Sequence, residues 1–158
     1  MTITSTNHSI FLETSIQIRR TQLAPDDSTR IDSILALPTT KACTSQYVWM
    51  EYQRTFIADC VYIHKLMGQY SRWGTLLKNL VSGQRAFRPR SVTRCVYLLG
   101  QLQEQCFEDY EFAREMLQEQ ISQSLPKQFW ANVIPLSDPI FCDLVTERIN
   151  VLPDSHQR

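Results

Sequence analysis

The sequence predicts an α/β domain that is mostly helix, and two observations carry that prediction. Ile10-Phe11-Leu12 is a short apolar run between polar neighbours, the mark of a strand. From Trp49 to Met67, apolar side chains recur at three- and four-residue steps, and only a helix gathers such a spacing on one face. The chain has 158 residues and is 43% hydrophobic, enough for one packed domain.

Taken in order, residues 1–8 are polar and rich in Ser and Thr, and are expected to be a disordered lead-in. Residues 9–13 are the strand. A helix is expected within 24–37, because Pro25 and two acids suit its start, Ile31, Ile34 and Leu35 share a face, and Pro38 stops it. Residues 41–46 are a weaker second strand. Ser45 is the expected N-cap of the long helix, whose apolar face is Trp49, Tyr52, Phe56, Cys60, Ile63 and Met67, with Gly68 as its stop. Further helices are expected at 73–81, 91–107 and 109–123, with Gly83 and Pro89 punctuating a loop at 82–91.

Three prolines make 124–139 a loop or short turns, and a last helix is expected near 139–149, with Pro139 at its first position. One domain is thus expected over 9–150, followed by a polar tail at 151–158. A lone strand cannot satisfy its own backbone groups. Partner strands must be hidden in the loops or supplied from outside the chain, and the uncapped polar end suggests part of a longer protein.

Lys plus Arg and Asp plus Glu both number 16, so no overall field selects nucleic acid or an acidic partner. The distribution is uneven. No acid lies between Asp59 and Glu104, a stretch that holds Arg85, Arg88, Arg90 and Arg94, whereas Glu104 to Glu119 is acidic. Two solvated, partly pairing helix faces explain this more simply than a nucleic-acid face. Five cysteines without a CxxC pair argue against a zinc site or a disulfide framework and for buried reduced thiols. The N-terminus is not a secretory signal, and no apolar run is long enough to span a bilayer. A soluble, cytoplasmic protein is the expectation. The sequence holds no Gly-rich phosphate loop and no His, Cys or Ser placed for a nucleophile triad. Trp49, Trp73 and Trp130 are expected in the core, and His64 in a solvent or interhelix contact.

The remaining chemistry is acidic. Glu13 ends the first strand, and Glu51 sits early in the long helix after the second. In open α/β sheets ligands gather at the carboxyl ends of strands, and paired carboxylates suit a hard divalent cation. "IFLETSIQI" and "CTSQYVWMEYQRTF" resemble the two opening motifs of the PIN-domain family of metal-dependent nucleases. The resemblance covers residues 9–67.

It implies a PIN-like fold, a small parallel sheet with a helical insertion in the second half of the chain. It also implies Glu13 and Glu51 as catalytic metal ligands for Mg²⁺ or Mn²⁺, with Thr14 or Ser15 supporting Glu13. Asp138, before the last expected helix, is the candidate third ligand. The family usually carries Asp where Glu13 stands. The implied activity is phosphodiester hydrolysis of RNA, with Arg85, Arg88, Arg90 and Arg94 on phosphates. The alternative is a non-catalytic helical or PIN-like module that binds a protein partner or a second copy of itself.

Overall fold

Residues 8–21, 25–83 and 89–136 are described by the computed structural model. The early apolar run forms β1 (His8–Phe11), and it has two partners, β2 (Thr40–Ser45) and β3 (Ile134–Leu136). Both pairings are parallel, in the order β1-β2-β3. The α/β expectation holds in this coarse form, a mostly helical chain around a small parallel sheet.

The third strand corrects the sequence reading, because it lies inside the proline-rich stretch expected to be loop. Pro135 has no N–H to give a sheet. Among the described residues β3 pairs on one side only, with Pro135 opposite Thr44, and an outer strand tolerates that loss.

Between the strands the chain crosses over through helices. α1 (Thr14–Thr21) and α2 (Pro25–Leu35) join β1 to β2. α1 was not expected, and its composition explains why. Its inward residues are Gln17, Arg20 and Thr21, polar side chains at i, i+3 and i+4 that carry no apolar period. They are buried because they bond one another's surroundings. Thr21 shares a 2.6 Å hydrogen bond with the Tyr52 hydroxyl. Arg20 donates to Asp32 at 2.7 Å and to the Ala131 carbonyl at 2.6 Å. The Gln17 amide donates to the Phe129 carbonyl at 3.3 Å.

The long helix runs as α3 (Gln46–Tyr52), a π-helical turn (Gln53–Ile57) and α4 (Ala58–Gln69). Its expected apolar face is the core: Tyr52, Phe56, Cys60, Ile63 and Met67 are all buried, and Trp49 packs against them. Ser45 caps it as expected, accepting from the Val48 N–H. Gly68 does not stop it. The helix continues to Gln69, and Tyr70 turns extended. Gly68 instead makes room, since a Cβ there would sit 3.3 Å from Arg114 Nη2.

α5 (Trp73–Ser82), α6 (Pro89–Gln105) and α7 (Tyr110–Glu119) match three expected helices within a few residues. Phe107 and Glu108, both at positive φ, make the turn between α6 and α7, and Asp109 caps α7. A second π-helical turn (Gln120–Ser124) then leads into α8 (Leu125–Trp130), which overruns the expected helix end at 123. Asn132, at φ 56°, turns the chain from α8 towards β3.

Packing divides the sheet into unlike faces. Leu12, Ala42 and Val133 are buried under Leu35, with Ile16 and Ile31 beside them. On the other face Phe11, Cys43 and Ile134 lie in register across the three strands, and Leu136 pairs with Ser45. Phe11, Ile134 and Leu136 are exposed there. The main core sits among the helices, with Phe129 at its centre. Its ring lies 4.7 Å from Trp49, 5.0 Å from Tyr52 and 4.9 Å from Trp130. Trp73 meets Tyr110 edge-on at 5.0 Å. The three tryptophans, expected in the core, are half-buried and pack against its edge. The expected lead-in, save His8 in β1, and the expected helix at 139–149 and tail lie outside the described residues.

Candidate functional site

The carboxyl ends of β1 and β2 are tied together by two bonds. The Leu12 N–H donates to the Cys43 carbonyl at 2.8 Å, and the Thr44 hydroxyl donates to the Leu12 carbonyl at 2.7 Å. Glu13 follows at once, two residues past the end of β1, although the strand was expected to include it. Its carbonyl accepts the Gln17 N–H, so it starts α1. On the neighbouring strand, Ser45 ends β2 and caps α3, and Glu51 stands in the second turn of that helix.

These two helix starts bring Glu13 and Glu51 to one open pocket of about 440 Å³. The hydroxyl of Thr14 donates to Glu51 Oε2, and Ser15 Oγ donates to Glu13 Oε1 at 2.6 Å. The expected hydroxyl support is thus divided. Ser15 serves Glu13, while Thr14 reaches across to the acid of the other element. Both carboxylates are exposed to solvent.

A pair of hard carboxylate oxygens at strand ends matches the needs of Mg²⁺, which binds through one or two carboxylates and keeps several waters. The donor set fits such an ion in that water-rich form. Among the described residues no group of three or more His, Cys, Asp and Glu side chains comes together. Asp138, the expected third ligand, lies outside the described residues, as do Arg85 and Arg88. The chain leaves β3 at Leu136, which pairs with Ser45 at the same end of the sheet as Glu13.

Arg90 belongs to the first turn of α6, and its side chain is outside the described set. Arg94 is placed: its Nε donates to Asp59 Oδ2 at 2.5 Å, tying α6 to α4, and it does not line the acidic pocket. Burial pushes the Asp59 carboxyl up, and the Arg94 guanidinium pulls it partly back. The Cys60 and Cys95 thiols are pushed up to about 12 by burial, consistent with inert structural cysteines. His64 faces a second, open groove with Arg114, and burial followed by the Arg114 charge lowers its pKa.

Two aromatic pocket residues escaped the sequence reading, Phe11 and Tyr47. A signal for both was present. Phe11 is two residues before Glu13 and Tyr47 is four before Glu51, which is one repeat of a strand and of a helix respectively.

The chain matches no family model, no curated protein and no solved structure. Among the described residues no helix is long and apolar enough to cross a membrane.

Proposed function

We propose that this chain carries the opening half of a PIN-like, divalent-metal-dependent ribonuclease site. One observation supports it above others: Glu13 and Glu51, far apart in sequence, share one pocket at the carboxyl ends of parallel strands, and the residue next to Glu13 holds Glu51. In this reading Glu13 and Glu51 ligate Mg²⁺ or Mn²⁺, with Asp138 as the proposed third ligand. The bound ion would supply a water made acidic enough to attack a phosphodiester and charge to stabilise the leaving oxygen. Ser15 and Thr14 orient the two carboxylates by donating to them, as outer partners of metal ligands do. Arg85, Arg88 and Arg90 remain the proposed phosphate contacts. Arg94 is the weakest of the four, because its guanidinium already pairs with Asp59.

A second reading is favoured by the open face of the sheet. Parallel sheets are normally covered on both sides, yet Phe11, Ile134 and Leu136 are exposed together. A protein partner or a second copy covering that face is the interaction-module alternative.

Mn²⁺-dependent cleavage of a generic single-stranded RNA separates the two. The nuclease reading expects turnover by the protein, lost in Glu13→Gln and in Glu51→Gln. Equal activity in all three proteins would sink the site.

A further inference from the structure

The turn between α6 and α7 holds the most exposed large hydrophobic side chain among the described residues. Phe107 is 92% exposed. It sits at φ 50°, and Glu108 follows at φ 64°. Glycine or asparagine usually takes such positions, and a bulky side chain there is strained. The turn is nevertheless firmly pinned. The Glu108 N–H donates to the Gln103 carbonyl at 3.0 Å and the Asp109 N–H to the Cys106 carbonyl at 2.9 Å. The Trp73 indole donates to the Glu108 carbonyl at 3.0 Å. A strained backbone thus presents a ring that contributes almost no burial to its own fold, and strain of this kind gathers at functional sites.

A surface suited to that ring lies beside it. Trp73 starts α5, and Gly74, Leu77, Lys78 and Val81 follow on the exposed side of that helix, while Leu76 and Leu80 enter the core. The spacing i, i+3, i+4 and i+7 makes them one stripe. A Cβ at Gly74 would meet nothing within 4 Å, so a ring can approach the helix backbone there. The charges are complementary. Glu104, Glu108 and Asp109 flank Phe107, and Arg72 and Lys78 flank the stripe, all of them exposed. We propose that the Phe107 turn and the α5 stripe form a self-complementary interface, through which two copies of this chain pair about a two-fold axis. Because the ring and the stripe are neighbours, one axis seats both rings at once and closes the dimer. The acidic flanks repel phosphate, which disfavours RNA or an anionic membrane as the occupant. The interface is separate from the acidic pocket and from the open face of the sheet.

The test is sedimentation velocity of the full chain over a concentration series, beside melting temperatures taken where the wild type is monomeric. The wild type should dimerise, and less so as salt is added. Phe107→Gly should weaken dimerisation by about 30-fold, the loss of one interface hot spot. The same change should raise the melting temperature, because glycine adopts positive φ without strain. Leu77→Ser and Lys78→Glu should weaken the dimer without lowering the melting temperature, and Ile134→Ser, on the open sheet face, should leave it unchanged. A wild type that stays monomeric throughout overturns the proposal. So does unchanged association in either Phe107→Gly or Leu77→Ser, or loss of the dimer in Ile134→Ser. A lower melting temperature in Phe107→Gly would make the ring structural, and species larger than a dimer would rule out the two-fold pairing.

Discussion

Thr14 and Glu51 are joined by a hydrogen bond in which the threonine hydroxyl donates to the carboxylate. The contact locks the first residue of α1 to the second turn of α3 and sets where the Glu51 oxygens point. Removing the hydroxyl should therefore disturb the site more than the fold. Thr14→Val is expected to lower Mn²⁺ affinity or RNA cleavage by about 10- to 100-fold, the usual range for the outer partner of a ligand. Thr14→Ser should restore it. Calorimetric Mn²⁺ titration of the three proteins, beside their melting temperatures, checks this. A loss that tracks the melting temperature would make Thr14 merely structural.

Arg20 should matter for stability far from the site. Its side chain is almost fully buried and donates to Asp32 and to the Ala131 carbonyl just past the end of α8. Arg20→Leu leaves that carbonyl and the exposed Asp32 carboxylate without this partner, and is expected to cost about 2–3 kcal/mol in urea denaturation. Arg20→Lys should recover little, because one ammonium cannot copy a planar fork that bonds in two directions. Full recovery by lysine would contradict this account.

Phe129 is the ring on which Trp49, Tyr52 and Trp130 converge. Phe129→Ala should destabilise the fold by about 3–5 kcal/mol, since it empties a buried site that the surrounding rings cannot fill. Phe129→Leu should cost less than half of that. The same denaturation series measures both, and equal losses would argue against a cavity as the cause.

Asp59 gives a pH signature. Its carboxyl is raised above the ordinary aspartate range, chiefly by burial, so the folded state favours its protonated form. The stability contributed by that group is full below the ordinary aspartate pKa and falls as pH rises through the raised folded value. Asp59→Asn cannot ionise and should escape that fall. Denaturation midpoints measured from pH 3.5 to 7 should therefore drift in favour of the variant as pH rises. A constant difference across that window would refute the burial effect.

Much of this was legible in the order of residues, wherever one period dominated. The apolar face from Trp49 to Met67 marked the long helix and its core, because burial of every third or fourth side chain needs no partner to be recognised. Ser45 as a cap and Glu13 beside a strand end were local features of the same kind. α1 was hidden because its buried residues are polar, and their burial makes sense only once the Phe129 and Ala131 carbonyls and the Tyr52 hydroxyl come to meet them. β3 was hidden because three residues containing a proline carry no period, and only the waiting edge of β2 makes them a strand. The pairing of Thr14 with Glu51 could not be read from either segment alone. It follows from parallel registration of β1 and β2, which places two helix starts side by side and turns two distant carboxylates into one pocket.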